Sequence, residues 1–193
     1  DSHILEDVVR QLNGYSGIVI SKSTALPQTY QRLEQSDVRL VHVPEFLTQA
    51  RAQYDYVNPH KIVVGCRPEL RLSVANILMA SAINFNRVNI EYCSIGEASF
   101  FKYMANTMLA MKVVMNNEFY DLAQSLKLDW TSLTNIARTD YRLGATHWAV
   151  PGPDGARGYG GACFPKDTQA LINYSDRFTL VEECVRINNK YRR

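Results

Sequence analysis

Apolar and polar positions alternate in two different rhythms along this chain. In the first half, Ile4, Leu5, Val8, Val9 and Leu12 recur at helical spacing within residues 1–12, and Gly17-Ile-Val-Ile-Ser21 then forms a short continuous apolar run suited to a buried strand. Pro27 opens a second predicted helix, and Val38 to Val43 is a second strand. Ile62 to Gly65 is a third, Pro68 begins a helix predicted to run to about Ala82, and Val88 to Tyr92 is a short fourth strand. Strands that alternate with helices imply parallel pairing, with the helices covering the sheet.

The second half follows the helical rhythm alone. Between Ile95 and Leu126 there is no proline, and Gly96 is the only glycine, so one helix of about 45 Å is predicted at ~1.5 Å per residue. Its apolar residues, among them Phe100, Phe101, Met104, Met108, Met111, Val114, Met115, Phe119 and Leu122, cover more than one stripe. A helix so long and so broadly apolar predicts packing against a second copy of the chain as well as its own domain, that is, a homodimer through residues 95–126, with burial inside a single chain as the alternative. Asp129 is placed to cap a shorter helix over Thr131 to Arg138. The glycine- and proline-rich run from Gly144 to Gly161 must be a loop, and loops of that length in compact domains tend to bind something. Helices over Lys166 to Tyr174 and Thr179 to Tyr191 close the chain. The pattern divides into an α/β part, residues 1–93, and an all-helical part, residues 94–193.

Composition narrows the function. With 46% apolar residues in 193, the chain has enough apolar side chains for a core, and with 21 basic against 19 acidic residues and no basic run longer than Arg192-Arg193, nucleic acid is not the expected partner. No segment approaches the roughly 18–20 uninterrupted apolar residues of a membrane helix, and the first residues lack a basic-then-apolar signal, so a cytoplasmic protein is expected. The four cysteines, 66, 93, 163 and 184, have neither Cys-x-x-Cys spacing nor histidines at zinc-finger intervals, and no metal site is expected. Cys66, Cys93 and Cys184 lie among apolar neighbours and read as small core residues.

Cys163 is different. It stands in Gly158-Tyr-Gly-Gly-Ala-Cys-Phe-Pro-Lys-Asp167, between glycines that allow positive φ and a Pro165 suited to a helix start. Lys166 and the positive end of that helix would both favour a thiolate, which makes Cys163 a candidate nucleophile. Lys102 and Asn106, four apart on the long helix, share a face and together would stabilise an oxyanion.

Four ordered motifs resemble the UDP-glucose/GDP-mannose (nucleotide-sugar) 6-dehydrogenase family. They are Lys22-Ser-Thr-Ala25, Pro44-Glu-Phe-Leu47, the Lys102-x-x-x-Asn106 signature with Asn117-Glu118 after it, and Gly160-Gly-Ala-Cys-Phe-Pro-Lys-Asp167. The resemblance implies an α/β fold: the second half of a Rossmann-like parallel sheet, followed by an all-helical central domain with one long helix. It also implies the middle portion of such an enzyme, because the phosphate-binding Gly-x-Gly-x-x-Gly of the family's first βαβ unit does not occur in these residues.

The activity implied is the NAD-dependent, four-electron oxidation of a sugar C6 alcohol to a carboxylate, with UDP-glucose as the leading substrate. Cys163 would carry the thiohemiacetal and thioester. Glu45 would serve as general base for hydrolysis, with Thr24 and Asp167 positioning the water. The resemblance assigns Ser23, Thr24, Gln49 and Lys166 to cofactor, and Glu45, Lys102, Asn106, Arg142, Gly158, Tyr159 and Gly160 to substrate, with Arg142 reaching it from a neighbouring subunit. The chain departs from the family pattern at Gln49, where relatives often carry a carboxylate, and at Ser99, where they carry glutamate. Two other readings stay open: a dimerisation scaffold of the same family without catalysis, and a cysteine hydrolase using His147.

Overall fold

Short continuous runs of valine, isoleucine and leucine build a sheet with an apolar core on each face. The computed structural model describes residues 2–48, 51–81, 83–84 and 88–193. It divides into two units, Asp1–Lys102 and Tyr103–Arg193, with the boundary inside the long helix.

In the first unit, helix α1 (His3–Gln11) leads into strand β1 (Ile18–Ser21), followed by α2 (Pro27–Leu33) and β2 (Arg39–His42). Next come α3 (Ala52–Val57), β3 (Lys61–Gly65), a 3-10 turn at Pro68–Leu70, α4 (Arg71–Met79) and β4 (Asn89–Cys93). The strands lie in the order β1-β2-β3-β4. β1 with β2 and β3 with β4 are parallel, the second pair in register from Lys61↔Asn89 to Gly65↔Cys93. The expectation of parallel pairing fails at one place: β2 meets β3 antiparallel through the single pair His42↔Gly65. The chain leaves β2 extended and reaches β3 by way of α3, an element whose six residues, Ala-Gln-Tyr-Asp-Tyr-Val, give no clear apolar period in sequence. The helix after Pro68 begins with the 3-10 turn and ends as an α-helix at Met79; Ala82, its expected limit, lies outside the described residues.

Because side chains alternate along a strand, neighbouring residues of β2 serve opposite cores. Val41, Val43, Ile62 and Val64 pack with Val74 and Leu78 of α4, whereas Leu40 and Val38 pack with Val9, Tyr30 and Ile95. Gly65 allows the close approach of the long helix to β3: a Cβ there would lie 2.6 Å from the Ala98 Cβ and 2.8 Å from the Ile95 Cα. Ser99 adds a buried hydrogen bond, its hydroxyl donating to the Ala25 carbonyl at 2.6 Å.

That helix, α5 (Ile95–Ser125), runs as one element through the boundary. The second unit adds α6 (Trp130–Thr139), α7 (Phe164–Tyr174) and α8 (Thr179–Tyr191). Asp129 caps α6 as expected, accepting from the backbone amides of Thr131 at 3.0 Å and Ser132 at 3.2 Å. The core here is small: Ala110, Val114, Tyr159 and Cys184, with Met111, Phe164 and Ile187 against them. Cys66 and Cys184 are buried, Cys93 is half-buried and Cys163 is exposed, all as free thiols. Burial pushes the Cys184 thiol up to about 11. No helix among the described residues is long and apolar enough to cross a membrane, and no cluster of three or more His, Cys, Asp or Glu there could hold a metal.

Gly65→Ala is expected to destabilise the first unit by about 1–3 kcal/mol through overpacking against α5. A urea midpoint that falls with an unchanged denaturant slope would show this, and a midpoint equal to that of the native sequence would show that α5 is not held against β3 as described.

Candidate functional site

Each unit carries part of the expected residue set, and each part is organised by buried polar contacts. In the first unit the Lys22–Ala25 segment leaves the end of β1 and is pinned from beneath. The fully buried Tyr30 donates its hydroxyl to the Ser23 carbonyl at 2.6 Å and lies 2.7 Å from the Ser21 hydroxyl oxygen. Its ring stacks on His42 with centroids 4.0 Å apart. His42 Nδ1 lies 3.0 Å from the Ser21 carbonyl, so that nitrogen must carry the proton, and Nε2 is a buried acceptor with no hydrogen-bond partner. Burial, then the charges of Lys22 and Lys102, push His42 down to about 4, against a smaller upward pull from the Ser21 carbonyl. Ser23 is exposed and Thr24 half-buried, so both present hydroxyls from a segment whose backbone is fixed.

Glu45 lies in the extended stretch after β2. Its carboxylate pairs with the Lys22 ammonium, and its backbone carbonyl accepts from the Lys102 ammonium. Lys102 is 7% exposed and lies 5.2 Å from the centre of the Phe46 ring. Lys61 stands over the neighbouring Phe101 and Phe46 rings at 4.2 and 5.4 Å, so the segment bearing Glu45 and the start of α5 share one aromatic and cationic cluster. Gln49 lies outside the described residues.

In the second unit, Cys163 is the N-cap residue of α7, with its side chain exposed and the Asp167 amide bonded to its carbonyl at 2.9 Å. Pro165 occupies the first turn, as the sequence suggested. Asp167 is completely buried; its carboxylate accepts from the Asn106 amide at 2.6 Å and from the Lys166 ammonium at 2.5 Å. Asn106 and Asp167 therefore meet directly, and Lys166 reaches the carboxylate next to it. Tyr103, one turn before Asn106, is pushed up to about 12 by burial and by the Asp167 charge.

The loop before Cys163 is shaped from two helices. Asn188 of α8 grips the Tyr159 peptide on both sides, accepting from its amide at 2.7 Å and donating to its carbonyl at 3.1 Å. Asn117 of α5 accepts from the Gly158 amide at 3.2 Å and from Arg157 Nε at 2.9 Å. The glycines that suggest close approach to a ligand also admit α8: a Cβ on Gly158, whose φ is +70°, would lie 2.5 Å from Asn188 Oδ1, and one on Gly160 2.4 Å from an Arg192 nitrogen. Tyr159 is 4% exposed and packs in the core. Arg142 lies exposed in its turn, forked onto Asp140 through Nε at 2.9 Å and Nη2 at 2.5 Å. His147 bonds Thr146 and tilts against Phe164, and burial lowers its pKa.

Sequence reasoning missed His42, Lys112, Asn188 and the role of Asn117. Asparagine is a poor interior helix residue, and its occurrence inside two helices, at Asn117 and Asn188, was the available sign of a tertiary partner.

The first unit is thus an α/β layer with the candidate side chains beyond the ends of parallel strands, the usual location for a nucleotide cofactor, and the second is a helical unit presenting a thiol at a helix N-terminus. Residues 2–82 match the NAD-binding domain of the UDP-glucose/GDP-mannose dehydrogenase family, and residues 96–190 match its central domain. The chain belongs to that family. It is 28% identical to a UDP-glucose 6-dehydrogenase of Rhizobium meliloti over 97% of this chain and 44% of that protein. It is 30% identical to a UDP-glucose 6-dehydrogenase of Pseudomonas aeruginosa over 91% of this chain and 41% of that protein. A UDP-glucose dehydrogenase structure from Pyrobaculum islandicum superposes with a TM-score of 0.78 at 26% identity, covering 98% of this chain and 46% of that one. The chain therefore spans less than half the length of each of these relatives.

For the family's cofactor, Ser23 and Thr24 fit as hydroxyl donors to polar groups at one end of a dinucleotide, on a backbone held by Tyr30 and Ser21. The 193 residues include no glycine-rich phosphate loop, so this fit concerns that end alone.

His42 makes stability depend on pH with a definite sign. Its folded value of about 4 lies below the ordinary 6.5, so between those values the unfolded chain binds a proton that the folded chain does not. The stabilisation is full above pH 6.5 and is lost as pH falls toward 4, by up to about 3 kcal/mol. His42→Phe keeps the stack on Tyr30 and is expected to flatten this part of the stability-against-pH curve in urea titrations; an unchanged slope would mean that His42 is not buried in its neutral form.

Proposed function

We propose that this chain supplies the catalytic centre of a nucleotide-sugar 6-dehydrogenase that oxidises the C6 alcohol of a nucleotide hexose, UDP-glucose first among them, to the carboxylate. One observation carries the reading: an exposed thiol at a helix N-terminus, four residues from a buried carboxylate that anchors the same helix.

When bound, NAD would accept one hydride in each of the two oxidations. Ser23 and Thr24 would hold part of it, with Lys166 and Gln49 as further contacts. The alcohol first loses a hydride to the bound cofactor and its hydroxyl proton to water, giving the aldehyde. The Cys163 thiolate then adds to the aldehyde carbon, forming a C–S bond and an oxyanion. Lys102 supplies a cationic donor for that oxygen, and Asn106, with one amide hydrogen committed to Asp167, has a second to offer. Loss of the second hydride leaves the thioester. Water held by Thr24 attacks it with Glu45 taking the proton, and the C–S bond breaks to return the thiol and release the carboxylate; Asp167, completely buried against Asn106 and Lys166, anchors the start of α7 instead of holding that water. Arg142 suits a diphosphate by its fixed donor fork, and its bond to Asp140 would exchange for that contact. Of the expected loop contacts Gly158, Tyr159 and Gly160, only the half-buried Gly160 would offer its backbone to the substrate, because the Gly158 amide and both Tyr159 backbone groups are already held by Asn117 and Asn188.

The exposed stripe on α5 supports a homodimer. Met108, Met115, Phe119, Leu122 and Leu126 recur at helical spacing and are each more than half exposed, a large apolar area to leave in water. The same stripe favours the second reading, a dimerisation scaffold without catalysis.

Calorimetry with UDP-glucose and NAD separates the two. Binding of both, with NADH formation reduced at least about a thousandfold in Cys163→Ser, is expected for the enzyme. Binding of neither ligand leaves the scaffold. For the dimer, Phe119→Glu is expected to halve the mass measured by light scattering; a native mass that is already monomeric would overturn it.

A further inference from the structure

In the turn after Arg142, backbone carbonyls converge on one face of α5. Lys112 donates to the carbonyls of Leu143 at 2.9 Å, Gly144 at 3.2 Å and Thr146 at 2.6 Å. These three bonds use all the hydrogens of an ammonium group. One helical turn on, Asn116 donates to the His147 carbonyl at 2.8 Å. The Trp148 ring lies 4.1 Å from the Lys112 nitrogen, and its indole N–H returns to the Gly144 carbonyl at 2.8 Å.

The backbone that accepts these bonds is not relaxed. His147 has φ of +65°, a left-handed conformation uncommon outside glycine and costly unless its surroundings hold it. A surface turn that water could solvate has no need of a cation enclosed by its carbonyls. Burial lowers the Lys112 pKa, a cost of enclosure that a merely solvated lysine would not bear.

We propose that Lys112 is a positioning residue for substrate binding: by gathering the 143–146 carbonyls and Trp148 onto one cation, it fixes the turn that aims Arg142. Lys112 itself touches no substrate; it acts through Arg142, and in that respect the inference rests on the functional reading above. Asn116 is the second anchor of the same template. The Asp140–Arg142 fork then closes on a preset backbone, and an anionic group needs only to exchange for one carboxylate.

The test compares Lys112→Met, which keeps length and loses charge and donors, with Lys112→Arg, which restores both. Hydrogen exchange of the 143–148 amides and calorimetric affinity for UDP-glucose are read together. Lys112→Met is expected to speed exchange in that segment about tenfold, leave α7 and α8 unchanged, and weaken UDP-glucose about tenfold, while Lys112→Arg stays within about threefold of the native protein. Faster exchange with unchanged affinity overturns the role in binding, and unchanged exchange overturns the proposal entirely. Exchange that rises equally in all helices does the same, because it marks global destabilisation. If the native protein binds no UDP-glucose, the functional reading fails by itself, and the exchange arm still decides whether Lys112 holds the turn. Lys112→Gln replaces the methionine variant if that one does not fold.

Discussion

A buried carboxylate organises the second unit. Asp167 is withdrawn from water, and an ionised group so placed must be hydrogen-bonded and paired or it destabilises the fold by several kcal/mol. Asn106 of α5 and the adjacent Lys166 meet that demand. The bond from Asn106 ties the first turn of α7 to α5, and Cys163, whose carbonyl receives the Asp167 amide, is carried to its place by the same contact. The exposure of the thiol and the burial of the carboxylate are two consequences of one anchored helix start. The preceding loop is drawn into the same frame by Asn117 and Asn188, which satisfy the peptide groups around Gly158 and Tyr159 that would otherwise be buried without partners.

The first unit follows the same logic with different groups. Tyr30, Ser21 and His42 form a small buried network under the Lys22–Ala25 segment, so Ser23 and Thr24 stand on a backbone whose carbonyl is already taken. The two lysines that meet Glu45 do different things: Lys22 neutralises its carboxylate, and Lys102 binds its main chain.

Periodicity made most of the fold legible. The long helix, the Asp129 cap and the closing helices follow from apolar spacing, proline placement and cap chemistry, which are local causes. The antiparallel meeting of β2 and β3 and the short α3 were not legible, because both depend on how the chain travels between strands rather than on the pattern within them. At the site, Cys163 and Asp167 stood out through the glycines and proline around them. Those glycines also carried a second meaning that sequence could not separate: Gly158 and Gly160 make room for Asn188 and Arg192 as well as bending the loop. Ser99, a departure from the family pattern, finds its physical reason only in the fold, where its hydroxyl reaches the Ala25 carbonyl across 74 residues of sequence. Lys112 and His42 had no local signature, since each is defined by carbonyls brought to it from elsewhere.

The central claim of the proposed reaction is that Cys163, the exposed thiol at the start of α7, carries the sugar as an acyl group between the second oxidation and hydrolysis. The most direct measurement is intact-protein and peptide mass spectrometry of Glu45→Gln, mixed with UDP-glucose and NAD and quenched in acid, since loss of the base would let the thioester accumulate. A mass increase equal to the uridine-diphosphate glucuronyl group on the peptide containing Cys163 is the predicted result. NADH formation with no adduct on that peptide, or an adduct on Cys66, Cys93 or Cys184 instead, would contradict it.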